Sequence, residues 1–542
     1  METRILGGES KHRGWFGGKW STKRVLTMGA TAAAAMLLLI MFRFVGLFLA
    51  VAILLVAYVA TMETGKGNWW GGYQSRRAWK ERKARGLTTF RPVKDRPDYL
   101  LEEGKSKAER VQLNREYAAY RDFPDGMDGF HWLQKAPGLP GIGWHTPTGE
   151  DAWLSVVWQV GGQVQGIRGD DYLERGMRAF SRLLARYGSP RSLPSRVQII
   201  TRVMPVDPSL HQSWAWQNID PEAPADLIAS YDELVRKVGN RGLIQRHYVV
   251  IRWPITPEFT ARAGDLAEGL AGWRELMADQ VATTTQHLQA AMLGQVRVLS
   301  AAGVAGVVRH MQLPNFPADQ VADVDVDAPW LPTQEWLSAV AVTAQGPNGI
   351  SEQWMHRTAV IPVSDVETSP RTPLWTTPML SQLRDQIVRT WSVQIEVQPS
   401  MDAREAARDD MTSDLAELAA QREKGVLTDE ELLVARAAVD QRLADLRPGS
   451  GHAGVGWAAH ITISARTGKE LRAAMARMES AAEEAGIAKL AWLDGQQGAA
   501  MSCTWPFARG MRPISQSTAA RLRGWVGGSL SEEVPDDASV VA

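Results

Sequence analysis

Asp323, Asp325 and Asp327 alternate in ADVDVDAP, so an extended backbone would put their carboxylates on one face, where a cation could sit. The run lacks the glycine at the sixth position and the glutamate at the twelfth that a calcium loop needs, and it reads as a loop of solvated charge. Lys66 in TGKGN and Lys469 in TGKEL each follow a glycine, yet neither has the earlier glycine or the following hydroxyl of a phosphate-cradling loop. His452 and His460 belong to no H-E-x-x-H helix. Cys503, the single cysteine, has no local histidine and excludes an internal disulfide. There is no G-x-S-x-G nucleophile elbow. These residues name no catalytic group, no metal ligand and no cofactor, and the expectation is a protein that is not an enzyme.

The element around which the rest is arranged is apolar. Residues 25–62 carry one charge, Arg43. A bilayer core of about 30 Å takes roughly 20 apolar residues per helical crossing, and one helix of this length would rise about 57 Å. Two crossings turning at Met41-Phe42-Arg43-Phe44 fit better, with the arginine at the tip in water or headgroups. Lys and Arg crowd both flanks, from Arg4 to Arg24 and from Lys66 to Arg85, and basic flanks stay on the cytoplasmic side. The expectation is a two-helix transmembrane hairpin in the plasma (inner) membrane with both termini cytoplasmic. Trp15, Phe16, Trp20, Trp69, Trp70 and Tyr73 suit the interfacial belt. Gly29, Ala30 and Ala32 to Ala35 would allow close span packing.

A chain of 542 residues with 60 basic and 60 acidic side chains has room for several domains. The zero net charge hides a basic first hundred residues, suited to anionic lipid, and an acidic stretch at 402–445. Residues 1–24 read as a basic N-terminus, 25–62 as the hairpin, 63–140 as a membrane-surface helix and connector. An α+β region follows, in two antiparallel-sheet and helix sandwich modules at 141–255 and 256–510, with a flexible tail at 511–542.

In the first module, AWLSVVWQV pairs back on Gly143-Trp144-His145. Leu173, Met177, Phe180, Leu184 and Tyr187 mark a helix with one buried face. Val197 to Val203 alternate as a strand. A second helix carries Leu227, Tyr231, Leu234, Val235 and Val238 ahead of the strand HYVVIRW, the helices lying on one sheet face. The pattern recurs: a strand over 336–342 pairs with 354–362, a helical stripe holds Leu380, Leu383, Ile387 and Val388, and a strand follows from Trp391. A helical hairpin is inserted at 402–446, capped at Thr428 and Glu431, before WAAHITISA. A helix capped by Thr467 and Glu470, with Leu471, Met475, Met478 and Ala482 inward, and the strand IAKLAWL complete the unit. The many tryptophans read as packing.

Element order and these segments resemble a family of actinobacterial conjugation-associated membrane proteins. Its members join a PrgI-like double span to the N-terminal, non-motor domain of TraC/TrbE-type conjugation ATPases. The likeness rests on the hairpin from Arg24 to Arg85, on DAWLSVVWQVGGQVQGIRGDDYLERGMRAFSRLLARYGSP and on RHYVVIRWPI. It rests further on the acidic helical hairpin before GWAAHITISARTGKEL and on LDGQQGAAMSCTWPFARGMRP. The resemblance implies a membrane subunit of a type IV secretion-like conjugation channel. Its partners would be a separate cytoplasmic ATPase, other channel subunits, lipid and further copies of itself. Residues 91–134 have no counterpart in that scheme. The rivals are a type VII secretion-like membrane component, a membrane-anchored DNA-binding protein using Arg76–Arg96, and an enzyme with a polar pocket lined by Asp323–Asp327.

Overall fold

The computed structural model describes residues 3–6, 22–61, 63–64, 67–101, 106–163, 169–316, 324–345, 351–398, 403–412, 415 and 430–511, less scattered positions inside these ranges. A short strand β1 (Arg4–Leu6) precedes helix α1 (Thr22–Thr61) and the small ladder of β2 (Glu63–Thr64) with β3 (Gly67–Asn68). Helix α2 (Trp69–Ala84) leads to β4 (Thr89–Pro92), α3 (Lys107–Tyr117), β5 (Tyr120–Arg121) and β6 (Phe130–Gln134). Then come β7 (Ile142–His145), β8 (Trp153–Val160), α4 (Asp170–Tyr187) and β9 (Arg196–Pro205). Helices α5 (Ser209–Asn218) and α6 (Ala225–Arg241) separate β9 from β10 (Leu243–Pro254). After α7 (Pro257–Gly264), α8 (Gly269–Ala290), β11 (Val296–Val298) and α9 (Ala301–Gln312) the strand pattern restarts. It runs through β12 (Thr333–Trp336), β13 (Ala339–Gln345), β14 (Ser351–Ile361), β15 (Ser369–Arg371) and β16 (Val388–Gln398). Helix α10 (Glu430–Asp445), β17 (Gly454–Ala465), α11 (Gly468–Glu484), β18 (Ala491–Trp492) and α12 (Gln497–Ser502) finish the described chain.

The strands form one large sheet in the order β5-β4-β12-β13-β14-β17-β16-β9-β10-β8-β7-β6, with β11 added on β8 and β18 on β14. Its middle is a mirror. Going outward from the β16–β9 pair, each side reads fourth strand, fifth strand, third, second, first of a five-strand unit. In each unit a helical insert joins the fourth strand to the fifth, helix follows, and a short strand then returns to pair with the third. The recurrence expected from sequence is thus a duplication, and its two copies share one sheet. They join antiparallel at Arg389↔Val203 through Glu396↔Arg196, so no sheet edge is left between them. The fold is α+β, with the sheet mixed only through the parallel β4–β5 pair.

The two faces of the central strands differ. On one, Ile461 and Ile463 of β17 pack with Leu471, Met478 and Ile487 around α11, and Val197, Val249 and Ile251 pack with Trp273, Met277 and Val281 around α8. On the other face the alternate positions are polar: Thr358, Thr462, Ser392, Gln394, Gln198 and Arg202. This polar side is buried. The segment 494–511 crosses it and joins α9 in a core shared by both copies, with Trp330 stacked on Trp505 at 5.4 Å and Phe507 against Phe130.

Several expectations change. The residues read as two helices form one continuous run of helical backbone, α1, with neither Gly nor Pro at 41–44. The helix is nevertheless no straight rod. A methyl group on Gly46 would strike the carbonyl of Leu38 and lie 3.0 Å from Leu39 Cα, whereas positions seven apart on a straight helix are about 10 Å apart. The chain therefore doubles back, and Ala35 and Ala50, each 4% exposed, lie in its seam. Among the described residues no helix is long and apolar enough to cross a membrane.

In α4 the deepest line is Leu173, Gly176, Ala179, Leu183 and Tyr187, while Met177, Phe180 and Leu184 are half-buried beside it. The stripe at 380–388 is a single helical turn, Thr377–Leu380, followed by β16. The expected strand over 336–342 is split at Leu337 into β12 and β13, which pair with each other. Only Ala491–Trp492 of IAKLAWL is strand. The Thr467 cap forms, and Glu470 reaches one residue further back, to the amide of Arg466. Of the inserted helical hairpin, 403–409, 411–412 and α10 are helical, and its expected cap at Thr428 lies outside the described residues.

Candidate functional site

Around the doubled-back helix the apolar side chains point outward. Leu37, Ile40, Met41, Phe44, Val45 and Phe48 are among the most exposed large apolar groups described. Burying each such side chain is worth about 1.5–3 kcal/mol, so this surface calls for an apolar environment.

Both flanks of α1 are tied to the same globular body. On the N-terminal side, β1 pairs with β15, Arg4 donates to both carboxylate oxygens of Asp445 at 2.8 Å, and the amide of Ile5 donates to Gln441. On the C-terminal side, Arg82 of α2 pairs with Asp125 and Glu335 and donates to the Gly495 carbonyl at 2.8 Å. Glu335 is buried, which pushes its carboxyl up while Arg82 pulls it down, and it also accepts from the Gln497 amide. Gly495 has φ of +83° and its α-carbon faces α2, where a Cβ would come within 3.0 Å of the Ser75 carbonyl. The residues read as an unplaced connector thus do structural work. β4 and β6 extend the sheet at its two ends, and Asp125 joins Arg82 to Arg121.

The root of α2 meets the start of the 494–511 strap, which is seated by polar side chains of both copies. The strap's Gln497 accepts from the Thr358 amide at 2.7 Å, and Thr504 bonds to Thr462 at 2.9 Å. Gln198 donates to the Trp505 carbonyl and accepts from the Ala508 amide. Arg509 donates to the carbonyls of Gly126 and Asp128 and contacts His145 Nδ1 at 3.1 Å. Because little carboxylate is present here, burial pushes Arg202 and Arg509 down to about 10. Burial, followed by the charges of Arg509 and Arg252, also drives His145 well below its usual value. No sequence pattern announced this network; its only trace was polar residues at alternate positions in strands otherwise apolar.

The chemically suggestive residues are dispersed. Asp325 pairs with Lys94 at 2.9 Å, and Asp327 with Lys135 at 2.8 Å, while Asp323 lies outside the described residues. The Lys94 hydrogen bond holds the Asp325 carboxyl below its usual value. No group of metal-ligating side chains gathers among the described residues. His460 is buried on the strap face and held down to about 4 by desolvation, whereas His452 is half-buried. The Cys503 thiol is pushed up to about 12 by burial. Lys469 sits on the first turn of α11, and Lys66 lies outside the described residues. An open cavity of about 660 Å³ beside β4, β12 and β13 is lined by Phe90, Arg91, Arg309, Phe316 and Gln334, with Asp325 and Asp327 outside it. Of the basic residues proposed for DNA, Arg82 is engaged as above, Arg91 donates to Tyr120, Lys94 pairs with Asp325 and Arg96 donates to Tyr117. No family model matches the chain, and no curated protein matches it.

Proposed function

We propose that the chain is a non-enzymatic membrane subunit of a type IV secretion-like conjugative apparatus, which holds a separate ATPase at the cytoplasmic face. The observation that carries the anchor is the doubled-back α1, with its large apolar side chains outward and both flanks tied to one body. Each limb of about 18 residues would rise about 27 Å, close to the thickness of a bilayer core. A chain that enters and leaves on the same side keeps both basic flanks in one compartment. The resemblance of DAWLSVVWQV, RHYVVIRWPI and LDGQQGAAMSCTWPFARGMRP to the non-motor part of conjugation ATPases supports the docking role.

Alkaline carbonate extraction of cell membranes tests the anchor. The full chain is expected in the pellet, and Leu37→Lys with Phe48→Lys is expected in the soluble fraction at unchanged far-UV circular dichroism. Release of the unmodified chain by carbonate would sink the anchor. Copurification from mild detergent tests the docking, and a chain that brings down no ATPase would sink this second half independently.

A further inference from the structure

Helices α5 and α6 fill the loop between β9 and β10 and leave an apolar face uncovered. Trp214 is 59% exposed and Trp216 66%, and on α6 Leu227 is 64% and Leu234 57% exposed. Leu227, Tyr231 and Leu234 recur at helical spacing, so they form one stripe. The two helices are braced against each other: His211 Nε2 bonds to the Tyr231 hydroxyl at 2.6 Å and the His211 ring stacks on Trp214. A groove along α6 is lined by Ile219 of the connector and by Leu227, Ile228, Ser230, Tyr231 and Leu234. Tyrosine and tryptophan beside leucine, held rigid, are what a protein interface uses as anchors.

The charges beside the stripe say what covers it. Along one flank of α6 the helical spacing places Asp226 and Ser230 toward the N-terminal end and Glu233 and Lys237 toward the C-terminal end, with Lys237 paired to Glu233 at 2.8 Å. Acid-rich surroundings disfavour an anionic lipid surface. A parallel copy of the helix would set Asp226 against Asp226. An antiparallel copy related by a two-fold axis near Tyr231 sets Asp226 against the partner's Lys237 twice, with the stripes face to face. The exposed parts of Trp214, Tyr231 and the two leucines come to on the order of 400 Å² per chain, about half of the roughly 800 Å² per partner of a stable interface.

We infer that this face is a two-fold self-association surface, on which α6 packs antiparallel against α6 of a second copy, flanked by Trp214. It names the surface behind the oligomer that the assembly role expects and rests on that reading only in this respect.

The test uses the full chain in lipid nanodiscs, carrying Ser230→Cys and treated with a short bis-maleimide. Ser230 lies close to the inferred axis, and the unmodified chain, whose single cysteine is the half-buried Cys503, is the control. A covalent dimer is expected for most of the protein. Adding Leu227→Glu and Leu234→Glu should lower its yield at least tenfold, as should Asp226→Lys or Lys237→Asp singly. Asp226→Lys combined with Lys237→Asp should restore it, because the swap keeps the antiparallel pairing. Absence of dimer in the Ser230→Cys chain, or failure of the swap to rescue, overturns the proposal. So does loss of vesicle binding in the Leu227→Glu, Leu234→Glu chain, which would make the face a lipid contact. Carbonate extraction of the same variants reads the anchor separately, so either reading can fail without the other.

Discussion

The two copies of the duplicated unit place a helical insert in the same topological slot, between their fourth and fifth strands, and finish it differently. In the second copy the root of the insert is covered, although Leu415 and Leu433 further along it are exposed. Ala403 and Ala407 pack with Leu446, and β1 lies along α10, tied through Arg4 to Asp445. In the first copy α5 and α6 keep two tryptophans and two leucines in the open. Amphipathic spacing alone therefore says that a helix has an apolar face, and leaves open whether its own chain or another covers it. Duplication exposes the difference, because each slot serves as the control for the other.

The largest expected effect concerns the region where the copies act as one, the polar face beneath the strap. His145, His356 and His460 are buried there, held down by desolvation, with His356 at about 3 and His460 at about 4. All three are neutral in the fold, and in the unfolded chain they take up protons near pH 6.5. Their contribution is therefore complete above about pH 6.5 and is lost as pH falls toward 4 and then 3, at about 1.4 kcal/mol per pH unit for each histidine. Urea midpoints between pH 7 and 4 should fall steeply. A flat profile over that range would mean that protons reach these histidines in the folded state. Next in size is Trp505→Ala, which empties the stack against Trp330 and should cost about 3–5 kcal/mol. If the strap welds the copies, the denaturation curve should stay single-stepped while its midpoint drops; two separated steps would show that the copies unfold independently.

How far the sequence revealed this follows from the range of each interaction. The strand alternations and the Thr467 cap depend on neighbours a few positions apart, and they were legible, whereas the fold-back was argued from the length of the apolar run. The β16–β9 pairing, which turns two sandwiches into one sheet, joins Arg389 to Val203 across the chain and leaves no local mark. The same holds for Glu335, whose partners Arg82 and Gln497 come from far sequence positions. The tryptophans were legible as packing for Trp153, Trp158 and Trp253, which are fully buried, and misleading for Trp214 and Trp216. Residue type marks the wish for an apolar contact and carries no address.

A matched pair of substitutions sharpens the contrast of the slots. Ala407→Asp places a carboxylate without a partner in the covered seat, where the alanine is 1% exposed, and should cost about 3 kcal/mol. Ser230→Asp, on the bare helix, should stay within about 0.5 kcal/mol by thermal melting of the dilute protein. Comparable losses at both positions would erase the distinction drawn here.

The smallest effect belongs to the contact that covers the second slot. Arg4 and Asp445 form a two-point ion pair, with the arginine side chain 41% exposed and the carboxylate 32%. Pairs this open are screened by salt and pay side-chain ordering, so Arg4→Ala should cost no more than about 1 kcal/mol. The backbone ladder of β1 on β15, from Arg4↔Arg371 to Leu6↔Ser369, is untouched by the change. Hydrogen exchange at Ile5 and Pro370's neighbours separates the two contributions. Protection that survives Arg4→Ala means the ladder covers the slot and the ion pair only sets its register. Protection that vanishes means the arginine is the clasp, and the covered slot is then one weak charge pair away from being as bare as the first.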